Sequence, residues 1–226
     1  MLTTIAKTVF VTTVLSGLLS ACSTTESHTV VETQKVESYQ TAYSGPKTTL
    51  VVGKFNNRSS YMQGLFSSSV DQLGNQAKTI LKTHLQQTNR FKIVDRENMA
   101  GNKQEAQLSG KTQTLKGARY TVTGGVSEYG RKVTGDKQFF GIVGSGKKQT
   151  AYAKVMLNVV DVLSSEIIYS AQGAGEYALN EREVLGFGSN AGYDATLSGK
   201  VLNLAITEAV NNMVRDLETG HLDVSK

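Results

Sequence analysis

Residues 139–150 read FFGIVGSGKKQT, with Gly141 followed at P-loop spacing by Gly146 and Lys147. Glycines and a lysine so placed can hold phosphate, because backbone N–H groups cradle the anion and the ammonium reaches it. That chemistry also needs a Ser or Thr after the lysine to hold Mg²⁺, a buried strand before the loop and a helix after it. Here Lys148 takes the hydroxyl position. The preceding segment, GRKVTGDKQ (130–138), does not read as a buried strand, and Gln149-Thr150-Ala151-Tyr152 leads into a strand. Residues 173–178, GAGEYA, match the GxGxxA of a dinucleotide site equally superficially. They continue a strand, open no helix and lack an acidic ribose partner at the usual distance.

Other reactive groups are few. His28, His84 and His221 are far apart in sequence, and Cys22 is the only cysteine. One cysteine forms no intrachain disulfide and no thiolate cluster. No Gly-x-Ser-x-Gly nucleophile elbow occurs. The sequence therefore reads as a protein that is not an enzyme and uses neither a metal nor a cofactor.

Cys22 has a different chemistry. Residues 1–21 carry one basic residue, Lys7, then an apolar stretch from Val9 to Leu19. That stretch is shorter than the ~20 residues a membrane helix needs and has the layout of a secretory signal peptide. Leu19-Ser20-Ala21-Cys22 closes it and resembles a bacterial lipobox, in which the cysteine thiol takes diacylglycerol and becomes the acylated mature N-terminus. Ser23 stands where Asp favours inner-membrane retention in lipoproteins, which points to the outer membrane.

Residues 22–46 are rich in Ser, Thr, Glu and Gln, end at the only proline, and read as a lipidated tether. The rest, 47–226, reads as one folded domain. Hydrophobic residues at 39% and charged residues at 19% exclude a disordered chain. The net charge of +5 comes without a long basic run; with a secretory leader, nucleic acid is not an expected partner.

The domain reads as α+β, with helices on a small mixed sheet. Strands are expected at 48–55, 91–95, 120–126 and 152–162, and a fifth begins at Ile167. Phe66, Val70, Leu73, Ala77, Ile80, Leu81 and Leu85 recur at helical spacing, with Ser67 to Ser69 as candidate caps. The polar stretch to Lys116 reads as partly helical. Val201, Leu204, Ala205, Ala209, Met213 and Leu217 form a terminal helical stripe.

Two glycine-rich segments then read as β-hairpins, about 128–153 and 175–198. The tips are Phe139, Phe140, Gly141, Gly144 and Gly146 in the first, and Gly186, Phe187 and Gly188 in the second. Each hairpin is long enough for two membrane strands of about 9–11 residues. Ala191, Tyr193, Ala195 and Leu197 alternate with polar or small residues as a lipid face would. In the first hairpin Arg131 and Lys137 share a face with Tyr129, Val133 and Phe139. On pattern alone, soluble hairpins are favoured over membrane strands.

From Cys22 onward the order of these features resembles the curli secretion channel family of outer-membrane lipoproteins, which includes holdfast-anchoring relatives. Phe139-Phe140-Gly141-Ile142 resembles the turn of the family's first membrane hairpin, and Val155 to Val162 the strand that returns to the periplasmic core. Tyr177 to Tyr193 resembles a shorter second hairpin, and Gln72 to Leu85 the first core helix. The resemblance implies a homo-oligomeric ring with a periplasmic α/β domain and two hairpins per subunit in a shared outer-membrane β-barrel. It implies a passive pore for unfolded amyloid subunits in curli and biofilm assembly, with a periplasmic cap protein as a further partner. It also places a pore constriction at Tyr61, Leu65 and Phe66; Leu65 stands where the family has Asn, and the loop is shorter. Phe66 equally reads as the start of the helical stripe. The alternative is a lipoprotein without a conducting pore, either a periplasmic activator of a cell-wall synthase or a holdfast-type anchor.

Overall fold

Alternating burial along the chain produces a single mixed five-stranded sheet in the computed structural model, which describes residues 34–61, 71–137, 145–183 and 197–224. In chain order the elements are β1 (Thr48–Asn57), α1 (Gln72–Gln87), β2 (Phe91–Val94), α2 (Met99–Leu108), β3 (Tyr120–Lys137), β4 (Ser145–Asp161), β5 (Ile167–Glu183) and α3 (Leu197–Glu218). The strand order is β2-β1-β3-β4-β5. β1 pairs in parallel with β2 and β3, and β3, β4 and β5 are antiparallel. The expected α+β class and mixed sheet are borne out.

β4 shows why the sheet has a helix-covered face. Ala151, Ala153, Val155, Leu157 and Val159 are all essentially buried, while Tyr152 and Met156 between them are exposed. Side chains of period two meet α1 through Leu73, Ala77, Leu81 and Leu85, and α3 through Val201, Ala205, Ala209 and Met213. α3 buries more than the predicted stripe: Leu202, Ile206 and Val210 are buried too. The helix lies between β5 and α1, so it needs a wider apolar surface. Tyr169 Oη donates to Asp216 Oδ2 at 2.6 Å and ties β5 to the last turns of α3. Burial, then the Asp216 carboxylate, pushes that phenol well above its ordinary value, so it remains a donor.

α1 is capped by Asp71, not by the expected serines, which lie outside the described residues. Asp71 Oδ1 accepts from the Gly74 N–H at 2.8 Å, and its Oδ2 accepts from the Asn57 N–H at 2.6 Å. One carboxylate thus starts the helix and fixes the end of β1. Asp71→Ala is expected to cost about 1–2 kcal/mol of stability, read as a lower denaturant midpoint, with Asp71→Asn retaining most of it.

The β4–β5 turn is held by Asp161, whose Oδ1 accepts from the Leu163 and Ser164 N–H groups at 2.8 and 3.1 Å. The Ser164 N–H, then the Leu163 N–H, and last Arg119 hold this carboxyl below its ordinary value, against an opposing desolvation effect. A lowered folded pKa gives stability that is present above the unfolded value of about 3.9. It is lost as pH falls through the lower folded value. Acid unfolding of Asp161→Asn, which cannot titrate there, is therefore expected to be shallower below about pH 4 than that of the parent.

Folded structure begins ahead of Pro46. The compact unit begins at Gln34. Val36 is 2% exposed and Ser38 7%. The Glu37 N–H donates to Asn211 Oδ1 at 3.1 Å, and Asn203 Nδ2 donates to the Gln34 carbonyl at 3.4 Å. Residues 34–41 form a strap along α3, with asparagines satisfying its backbone. The compact unit thus includes residues 34–46 ahead of Lys47.

Candidate functional site

The hairpins grow directly out of the core sheet. β3–β4 pairing runs from Tyr120↔Asp161 to Lys137↔Ser145, and β4–β5 pairing reaches Ser145↔Glu183. β1 accompanies β3 only as far as Asn57↔Val126. Beyond that point three strands continue as a ribbon. From Val126 to Lys137 this extension is about 37 Å at a strand rise of about 3.4 Å per residue. Among the described residues nothing pairs with β3 past Val126 or with the outer edge of β5.

A bulge between Val126 and Glu128 aims the ribbon. It shifts the alternation by one residue, so Tyr129 and Arg131 share the helix-covered face with Val122 and Val126. A bulge also raises local twist, which suits a place where a strand leaves its domain.

Below the ribbon lies a polar and aromatic neck. Tyr129 is 5% exposed, and its Oη donates to Ser198 Oγ at 2.7 Å. Arg131 donates from Nε to Tyr129 Oη at 3.2 Å and from Nη2 to Ser198 Oγ at 2.8 Å. The first turn of α3 is thereby locked to the root of the ribbon. Tyr61 packs on Tyr129, ring centroids 4.4 Å apart and tilted by 48°. Asn57 Nδ2 donates to the Tyr61 carbonyl at 2.9 Å, while the Asn57 N–H reaches Asp71. The segment 62–70 therefore leaves and returns at two points fixed by one residue.

Of the candidate constriction residues, Tyr61 stands at the neck, and Leu65 and Phe66 lie outside the described residues. Cys22, Phe139, Phe140, Gly141, Gly144, Gly186, Phe187 and Gly188 also lie outside them. Gly146 is corrected: it is inside β4, paired with Asp136 and Arg182, and is not part of a turn. The second hairpin is corrected at its end, because Leu197 begins α3 and is 1% exposed. Leu197 is core, not lipid face. Asn57, Asp71 and Ser198 were missed; Asp71 carried a signal, as a good capping residue directly before the helical run.

Gly173 and Gly175 have a packing role. A Cβ at Gly173 would lie 2.2 Å from the Ala205 carbonyl oxygen and 2.4 Å from the Ala209 nitrogen. A Cβ at Gly175 would lie 2.6 Å from Leu204 Cβ. The dinucleotide-like spacing is the track on which α3 lies against β5.

The site has, among the described residues, no three His, Cys, Asp or Glu side chains placed to hold a metal. It defines a class of mixed-sheet α+β domain that carries a projecting antiparallel ribbon. Residues 25–224 match the family described as curli production assembly/transport component CsgG, and the chain belongs to that family. The resemblance seen in the sequence is borne out. A lipoprotein-named relative from Neisseria meningitidis serogroup B, NMB1126/NMB1164, is 57% identical over 217 residues, covering 95% of this chain and 97% of its own. A PelC dodecamer from Paraburkholderia phytofirmans is similar at a TM-score of 0.36 and 16% identity, over 75% of this chain and 93% of its own. Lipoprotein GNA1162 from Neisseria meningitidis is similar at 0.35 and 13%, over 77% and 99%.

Proposed function

We propose that this chain is a subunit of a homo-oligomeric ring, lipid-anchored through Cys22 at the outer membrane. The ring is a passive secretion pore for unfolded amyloid subunits during curli-type fibre and biofilm assembly. The observation that carries this reading is that, among the described residues, nothing pairs with β3 past Val126 or with the outer edge of β5. Unpaired edges template pairing with another chain. Two different edges on one subunit make a head-to-tail contact, which closes into a ring when the rotation fits. Copies pairing this way would build a shared β-barrel around a lumen. Family membership supports the same assembly.

The strap supports the anchor. Asn203, which holds Gln34, is six residues into α3, whose first turn is bonded to the ribbon root. The chain therefore joins the body on the ribbon side. Residues 22–33 span at most about 40 Å when extended, which is enough to reach a membrane on that side. The neck and the segment 62–70 would narrow the lumen, and a periplasmic cap protein would confine the unfolded cargo. No catalytic step and no cofactor is part of this reading, apart from the diacylglycerol and acyl chain on Cys22.

A photo-crosslinking residue at Leu65 tests it, with the detergent-extracted complex sized in parallel. A high-mass complex that crosslinks an unfolded amyloid-type chain from position 65, and not from Leu108 on α2, is expected. A monomer, or a ring with no crosslink, overturns the pore.

A further inference from the structure

α2 buries none of its ten residues, and Leu108 at its end is 75% exposed. A helix shorter than about 12–15 residues is marginal in water unless something packs on it. Yet this one is finished at both ends. Before it, Asn98 Nδ2 donates to Asp95 Oδ2 at 2.5 Å, and Glu97 is paired with Lys78 and Lys82 of α1. After it, Gly110 turns left-handed at φ 69°. The Gly110 and Lys111 N–H groups donate to the Gln107 and Ala106 carbonyls, each at 2.9 Å, and close the last turn. A helix built this way with no covered side calls for a surface outside its own fold.

The topology puts α2 on the side of the sheet that α1 and α3 leave open. The connections from β1 to β2 and from β2 to β3 join parallel strands, and such crossovers run right-handed. The first steps outward from β1 and lays α1 on the helix-covered face. The second steps back across β1, so the same handedness takes α2 over the opposite face. On that face Tyr152 and Met156 of β4 are each 47% exposed. Ala174 and Gln172 of β5 stand beside Lys154 and Met156, and Glu176 beside Tyr152. On the other flank Gly125 stands beside Met156. The Tyr152 ring lies over Gly130, where a Cβ would meet it at 2.2 Å. The small residues leave Tyr152 and Met156 as the apolar relief of the face.

We propose that α2 and the segment 109–116 form a docking arm that seats on the open sheet face of the next copy of this chain, around Tyr152 and Met156. The inference rests on the head-to-tail ring above. There the β5 edge of one copy meets the β3 edge of the next, and β1 and β2 lie on that same flank of β3. The arm is thereby carried toward its neighbour's β5 and β4. The two surfaces match in chemistry. Leu108 and Leu115, both exposed, supply the apolar side of the arm. The arm also carries Lys103, Lys111 and Lys116 against one carboxylate, Glu105. On the face Lys154 is paired with Glu128, which leaves the exposed Glu176 carboxylate, without a partner among the described residues, to receive an arm lysine. Such charges orient the contact, and the buried apolar area holds it. Two different surfaces of one chain make the contact heterologous, the kind a ring repeats.

Cross-linking between two tagged versions of the full lipidated chain tests the arm, one version with Leu108→Cys and the other with Met156→Cys. Lipidation would occupy the sulfur of Cys22, the only native cysteine. The two are co-expressed, extracted in detergent, treated with a short bis-maleimide and sized in parallel. The control pairs Leu108→Cys with Glu208→Cys, an exposed position on α3. Mixed dimers are expected at about tenfold or more the control yield, because docking raises the local concentration of one thiol at the other. A high-mass complex with no excess over the control overturns the arm and keeps the ring. Excess mixed dimers without a high-mass complex keep the arm and overturn the ring. A monomer without excess mixed dimers overturns both. Leu108→Gln gives a second reading, since the concentration for half-assembly should rise about tenfold. Its urea midpoint should not move, because the side chain is exposed within the subunit. An unchanged assembly concentration overturns the arm.

Discussion

Gly173→Ala is expected to destabilise the domain by about 3 kcal/mol, near the upper end of what overpacking usually costs. The added methyl would meet the Ala205 carbonyl oxygen at 2.2 Å, the Ala209 nitrogen at 2.4 Å and the Ala209 Cα at 3.0 Å. All three are backbone atoms, so no side chain can swing aside. Either α3 lifts from β5 or the strand bends. Lifting α3 carries its first turn with it, and Ser198 then leaves Tyr129 and Arg131. The variant should therefore lose both stability and the geometry of the neck. Urea unfolding gives the first, and reactivity of a cysteine placed at Ser198 gives the second. Gly101→Ala is the control: it lies in α2 and has nothing within 4 Å. It should be neutral or slightly stabilising, because Ala is the better helix former. Equal losses in the two variants would show that glycine flexibility, rather than the approach of α3, explains Gly173.

The elements that were legible in the sequence are those whose periodicity is local. The alternation of Ala153, Val155, Leu157 and Val159 gave β4 its buried face, and Leu73, Ala77, Leu81 and Leu85 gave α1 its stripe. Misreadings fall where a local pattern has two meanings. Leu197 continues the alternation that starts at Ala191, but it also stands four residues before Val201, and the helical period wins because both side chains enter the core. Gly146 looks like part of a turn, yet cross-strand pairing carries β3 and β4 past it. The strap was hidden by its composition. Its Ser, Thr, Glu and Gln residues suggest a free tether, while its partners include Asn203 and Asn211, more than 160 residues away in sequence. The neck was half legible: Tyr61 and Arg131 were singled out, but their convergence on Tyr129 depends on the bulge after Val126.

Arg90→Ala is expected to cost about 3 kcal/mol and to free the strap, whereas Glu218→Gln should cost only about 1 kcal/mol. The asymmetry follows from burial. The Arg90 side chain is 7% exposed and that of Glu218 is 44%. Arg90 donates to Glu218 Oε1 from Nε at 2.9 Å and from Nη2 at 2.5 Å. Its Nη1 reaches Thr41 Oγ1 at 2.7 Å, the Thr88 carbonyl at 2.8 Å and the Thr41 carbonyl at 3.2 Å. Tyr43 lies 5.0 Å from the guanidinium. Glutamine at 218 keeps an acceptor and leaves the guanidinium its three other oxygens. Alanine at 90 removes the group that joins the end of the strap to the ends of α1 and α3. Trypsin reports the release, since Lys35 lies in the strap and Lys47 just beyond Pro46. Cleavage at Lys35 should rise about tenfold in Arg90→Ala if local opening limits proteolysis, and little in Glu218→Gln. Similar costs and unchanged cleavage in both would mean that the strap is held by Val36 and the asparagines alone.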